Sequence, residues 1–145
     1  MIRLANEGAT LAFGAGLARV LQPGDVVALS GDLGAGKTTL ARGLLAALGH
    51  DGEIASPTFP IVIPYDDLAV PVWHVDLYRL DRADAIDELG LDDALADGAL
   101  IIEWPGRMGD RLWPHALRLW LAPDGGGRCL TAQVPPSWEA RWPPR

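Results

Sequence analysis

An α/β fold is predicted by three features of the 145-residue sequence. A short β-branched run, Val26-Val27-Ala28-Leu29-Ser30, leads through a glycine-rich loop into a helix-forming stretch from Leu40 to Leu48. A second apolar run, Ala99-Leu100-Ile101-Ile102, ends in the carboxylate of Glu103, the pattern of a buried parallel strand that delivers an acid to the sheet's C-terminal edge. Near the C-terminus, Leu117, Leu119 and Leu121 alternate ahead of the turn Asp124-Gly125-Gly126-Gly127, and a further run from Arg128 to Val134 follows, which predicts an antiparallel hairpin.

In chain order, Asn6 can cap a helix of roughly fifteen residues that carries Leu11, Leu17, Val20 and Leu21, is interrupted by Gly14 and Gly16, and ends at Pro23. Pro23-Gly24-Asp25 is turn-like and introduces the first predicted strand; Gly49 is a natural stop for the helix that follows the glycine-rich loop. Val70-Pro71-Val72-Trp73-His74-Val75-Asp76 is a further strand, with Pro71 placing its start at the sheet margin. From Asp81 to Asp97 the pattern suggests short helices bearing many acids, either a solvated face or a docking surface. The chain is expected to form one domain over residues 1–134, followed by a Pro- and Trp-rich tail at 135–145 that reads as extended and whose Trp side chains could cover an apolar patch.

Composition narrows the function. The single cysteine, Cys129, permits neither an internal disulfide nor a Cys-ligated zinc site. Met1–Thr10 does not resemble a signal peptide and no apolar run approaches the roughly 20 residues that span a bilayer, so the expected compartment is the cytoplasm. Twelve basic against nineteen acidic residues give a net charge of −7 with no basic cluster, which argues against direct binding of RNA or DNA. Eleven of the basic residues are Arg and only Lys37 is Lys.

That lysine lies in Gly31-Asp32-Leu33-Gly34-Ala35-Gly36-Lys37-Thr38-Thr39, between a predicted strand and a predicted helix. The strand–G-x-x-x-x-G-K-[ST]–helix arrangement is that of a phosphate-binding P-loop. Glycines let the backbone turn its N–H groups inward as a nest for phosphate at a helix N-terminus. A slim ammonium reaches β- and γ-phosphate oxygens, and the Thr38 hydroxyl suits one position on Mg²⁺, which takes few protein ligands. An accidental match in a chain of this length is on the order of 0.5% at average glycine and lysine usage. A guanine-reading N/T-K-x-D loop is impossible with the lone lysine already used, so ATP is the expected nucleotide. Asp87-Glu88-Leu89-Gly90 matches D-x-x-G, but no apolar strand precedes it.

Such a site needs an acid on a strand beside the loop. Glu103 and Asp76 are the candidates, though either could merely cap the next element; His74 shares a face with Asp76 at period two and is better read as an orienting or structural histidine than a catalytic one. Ser56-Pro57-Thr58-Phe59 is either a phosphate-sensing loop or an ordinary turn, and Arg128, just past a flexible turn, either reaches phosphate or faces solvent.

Taken together, the P-loop, Ser56-Pro57-Thr58-Phe59, His74-Val75-Asp76-Leu77-Tyr78-Arg79-Leu80, Glu88-Leu89-Gly90 and Glu103-Trp104-Pro105 resemble the TsaE (YjeE) family, small bacterial ATPases of tRNA threonylcarbamoyladenosine synthesis. The resemblance runs from about Thr10 to Pro105 and more weakly through Arg128; Ile63-Pro64-Tyr65 and the Pro- and Trp-rich tail depart from the family pattern. It implies a single-domain P-loop NTPase fold with a mixed central sheet flanked by helices. By this resemblance Leu33, Gly34, Ala35, Gly36, Lys37, Thr38 and Thr39 bind ATP, with Thr10 and Arg128 near the nucleotide; Thr38 and Glu103 hold Mg²⁺; and Asp76, with Lys37, serves hydrolysis. The implied partners are TsaB and TsaD, the latter transferring the threonylcarbamoyl group to tRNA, so that tRNA is met only through the complex and no membrane is involved. A small-molecule kinase using the same loop is the alternative, and a module that holds ATP without hydrolysing it is a third reading; neither an Arg-rich lid nor an acceptor pocket signature supports the kinase.

Overall fold

The structure, a computed structural model, describes residues 1–32, 34–52, 54 and 61–144; Leu33 and the Ser56–Phe59 segment lie outside the described residues. In chain order the elements are β1 (Ile2–Leu4), α1 (Glu7–Val20), β2 (Val26–Ser30), α2 (Lys37–Ala47), β3 (Val62–Tyr65), β4 (Val72–Asp76), a 3₁₀ helix at Ala83–Leu89, α3 (Leu91–Ala94), β5 (Ala99–Glu103), a 3₁₀ helix at Pro105–Arg111, β6 (Leu117–Asp124), β7 (Gly127–Gln133) and a 3₁₀ helix at Pro136–Arg141. The seven strands of the described residues form one sheet in the order β1-β7-β6-β2-β5-β4-β3, mixed as expected.

The apolar strand β2 sits in the middle because both of its faces are greasy, with β5 and β6 parallel to it on either side. β4 extends the parallel set beyond β5, while β3, β7 and β1 run antiparallel to their neighbours. Side-chain alternation divides the core into two layers. Val27, Leu29, Ala99 and Ile101 pack with Leu17, Leu40, Leu44 and Leu45 of α1 and α2; Val26, Ala28, Leu100 and Ile102 pack with Ile86, Leu91 and Met108 of the short helices on the other face.

The glycines that interrupt the first helical pattern are what seat α1. A β-carbon on Gly14 would overlap the Leu40 carbonyl, and one on Gly43 would overlap the Leu11 carbonyl, so the two helix backbones touch. Asn6 caps α1 as expected, its side chain accepting from the Ala9 N–H at 2.8 Å.

Three elements differ from the sequence expectation. β1 and β3 are strands that the sequence did not announce; β1 is three residues long and β3 contains Pro64, which an outer strand tolerates. The tail is not extended but folds back as a 3₁₀ turn that buries the whole Trp138 side chain against the α1–α2 layer, as an apolar cover should. Arg141 fastens it, donating to both carboxylate oxygens of Asp25 at 2.7 and 3.1 Å and to the Val20 carbonyl at 2.8 Å. Among the described residues no helix is long and apolar enough to cross a membrane.

Candidate active site

The topology brings the candidate residues to one edge. β2, β4, β5 and β6 all end there, and the P-loop leaves β2 at that edge to enter α2. Asp76 and Glu103 are register partners at the ends of adjacent parallel strands, and both share a face with residues of the α1–α2 layer, so their carboxylates lie towards the start of α2. Because β7 runs back from the same edge, its second residue, Arg128, also lies there; Leu4 pairs with Arg128, which carries the start of α1, and with it Thr10, to the same place.

The loop has the backbone that its glycines permit. Gly31, Gly34 and Gly36 have φ of 144°, 79° and 105°, the left-handed side that other residues avoid. Gly36 is the N-cap of α2 and no acid occupies the first turn, so the positive end of the helix is not neutralised from within. Gly34, Ala35, Gly36, Lys37, Thr38, Thr39, Asp76, Glu103, Trp104 and Arg128 line a cavity of about 210 Å³. Thr10 lines a second cavity of about 240 Å³ with Asn6, Glu7, Gly36, Thr39, Gly126, Gly127 and Arg128. Arg128 lines both, with Gly36 and Thr39; its Nη2 donates to the Gly34 carbonyl at 3.0 Å while its buried Nε has no partner among the described residues.

Every candidate among the described residues therefore reaches one of two adjoining cavities. Lys37 is 5% exposed; its Nζ donates to the Gly31 carbonyl and lies 3.7 Å from the centre of the Trp104 ring. Burial lowers the Lys37 pKa below the ordinary 10.5, against the pull of Glu103, Asp76 and Asp32 in that order. The Thr38 hydroxyl is 3.2 and 3.4 Å from the two oxygens of Glu103. Asp76 Oδ1 accepts the Tyr78 N–H at 2.9 Å, which holds the carboxylate at the strand end. The D-x-x-G match plays no part here: Asp87 pairs with Arg111 in a 3₁₀ turn.

Trp104 is the residue that sequence reasoning missed as part of the site. It has φ 61° and ψ 49°, and among the described residues it is the only non-glycine with positive φ. That conformation, of order 1–3 kcal/mol uphill for a bulky residue, turns the ring from the end of β5 over Lys37, with Tyr78 4.9 Å away ring to ring. A residue type that normally avoids this conformation carries no sequence signal for it.

The donor set fits a nucleoside triphosphate with Mg²⁺. Inward-turning glycines, an ammonium, a helix N-terminus and a half-buried guanidinium whose Nε has no partner among the described residues suit phosphate; one hydroxyl and one carboxylate suit a cation that keeps most of its ligands from phosphate and water. No cluster of three or more His, Cys, Asp or Glu among the described residues could cage a metal by itself.

Comparisons with known proteins show the family. Residues 4–128 match the family model for the threonylcarbamoyl adenosine biosynthesis protein TsaE. The tRNA threonylcarbamoyladenosine biosynthesis protein TsaE of Streptomyces coelicolor is 45% identical over 106 residues, 71% of this chain and 72% of that protein. Its namesake from Bacillus subtilis is 37% identical over 118 residues, 81% of this chain and 73% of that one. The crystal structure of Bacillus subtilis YdiB superposes with a TM-score of 0.80 at 31% identity, covering 96% of this chain and 88% of that chain. A match over nearly the whole folded chain, with relatives above a third identical and a shared fold, makes this chain a member of the TsaE family.

Proposed function

We propose that the chain is a Mg²⁺-dependent ATPase that serves tRNA threonylcarbamoyladenosine synthesis by acting on a TsaB–TsaD pair. The observation that supports this best is the convergence of Lys37, Thr38, Asp76 and Glu103 on a single cavity at the mouth of the P-loop. The loop N–H groups and Lys37 hold the β- and γ-phosphates, and Arg128 adds a second cation from the hairpin. Thr38 and Glu103 are the residues that would hold Mg²⁺, which when bound neutralises charge on the phosphate oxygens. Asp76 orients the attacking water or takes its proton. The net charge of −7 fits a protein that meets tRNA through partners and not by its own surface.

Calorimetric titration with a non-hydrolysable ATP analogue and Mg²⁺ tests the binding half. Wild type should bind, and Lys37→Ala should weaken binding at least about tenfold, since it removes a buried charge-assisted contact of roughly 1.5–3 kcal/mol. Equal affinity in the two proteins contradicts the proposal.

The pKa of Lys37 adds a pH signature. Burial lowers it in the free protein, and bound phosphates, being anionic, raise it again. Binding therefore takes up a proton on the alkaline side: affinity is complete below the free-state pKa and falls as pH rises through it towards the higher bound-state value. Titrations from neutral pH towards 10.5 should show this decline in wild type and not in Lys37→Ala. A flat wild-type profile removes Lys37 from phosphate binding.

A further inference from the structure

The buried histidine of β4 is unexplained by packing alone. His74 is fully buried, and its Nε2 lies 2.7 Å from Glu103 Oε2. A carboxylate can only accept, so Nε2 carries the proton and donates. Nδ1 is buried and has no partner among the described residues. An apolar side chain would fill this place without stranding a polar atom, so the contact with Glu103 is what the imidazole supplies. His74 pairs in register with Ile101, two residues before Glu103 on the same face, so the ring reaches along β5 to the carboxylate. The ring does not line the cavity; Glu103 stands between it and Thr38.

We propose that His74 is a positioning residue for the divalent cation: by holding Oε2 it fixes the rotation of the Glu103 carboxylate at which the group meets the Thr38 hydroxyl. This rests on the ATPase reading above. Without the imidazole the carboxylate turns about its last torsion and meets the cation in many orientations. Outer partners that orient a metal-binding side chain in this way are typically worth 10–100-fold in metal affinity. Among the described residues the His74 ring hydrogen-bonds to Glu103 and its other nitrogen has no partner, while Lys37 donates to the Gly31 carbonyl, so nucleotide binding in the absence of divalent cation should not depend on His74.

The test uses Mn²⁺ as a spectroscopic substitute for Mg²⁺, its affinity read by electron paramagnetic resonance in the presence of a non-hydrolysable ATP analogue. His74→Leu should weaken Mn²⁺ about tenfold or more and leave analogue binding in EDTA within about twofold. Gln carries an amide N–H to the position of Nε2 and Asn stops short, so His74→Gln should recover most of the affinity and His74→Asn should not. In a Glu103→Gln background, His74→Leu should add less than about a twofold change, because residues acting as one unit are not additive. Unchanged Mn²⁺ affinity in His74→Leu overturns the proposal, as does a Gln variant no better than Asn or full additivity with Glu103→Gln, which would mark a packing role. If His74→Leu does not fold, the Gln–Asn pair decides by itself. A wild type that binds neither analogue nor Mn²⁺ removes the ATPase reading and this proposal together; a wild type that binds both, with His74→Leu alike, removes only this one.

Discussion

Asp76→Ala is expected to keep ATP bound and to lose about 10²–10⁴-fold in turnover, measured with TsaB–TsaD present. Asp76 is 5% exposed at the end of β4 and lines the cavity beside Glu103, its neighbour in register. None of the groups proposed to hold phosphate is Asp76, and removing a carboxylate from beside an anionic ligand relieves repulsion, so affinity should stay equal or improve. One side effect is predictable in sign. Asp76 is among the charges that hold the Lys37 pKa up, so the variant should lose nucleotide affinity at a lower pH than wild type. Single-turnover hydrolysis alongside analogue titration separates the two effects. Turnover at the wild-type rate would take Asp76 out of the chemistry and leave it a strand-end cap.

Trp138→Ala should destabilise the fold by about 3–5 kcal/mol, the usual result of emptying a large buried aromatic site. The ring is entirely buried, belongs to the same apolar layer as α1 and α2, and carries the Arg141 guanidinium 4.0 Å above it. Its Nε1 has no partner among the described residues, so Trp138→Phe sheds an unsatisfied donor as well as volume and should cost clearly less than Ala. Urea unfolding checks both variants. Arg141 is tied to Asp25, just before β2 and so at the sheet end opposite the cavity. Well below its melting temperature, Trp138→Ala should therefore hydrolyse ATP like wild type. A loss below about 1 kcal/mol would mean that the tail is not part of the core.

Local chemistry explains what could be read from the sequence. The P-loop is legible because three glycines and a lone lysine occupy positions that only certain residue types can fill, and β2, β5 and the hairpin because their apolar patterns are strong over four residues or more. Glu103 and Asp76 follow from the rule that acids at strand ends face the site edge, and the structure sets them side by side. β1 and β3 were not legible because short outer strands take their identity from distant partners: Ile2 meets Leu130, and Val62 meets Val75. The tail looked extended from its prolines, yet one tryptophan with a hollow to fill outweighs them. Trp104 over Lys37 and His74 against Glu103 depend on side-chain direction across strands, which pattern cannot supply.

The central claim is that this fold hydrolyses ATP in the service of a partner pair. A slow ATPase alone is expected, because phosphoryl transfer depends on positioning and charge neutralisation that docking would complete. The direct measurement is ATP hydrolysis by the purified chain in Mg²⁺, with and without a TsaB–TsaD pair of verified activity. The account predicts weak turnover alone and strong stimulation by the pair. Hydrolysis that is equally fast without the pair, or absent with it despite bound ATP, would contradict it.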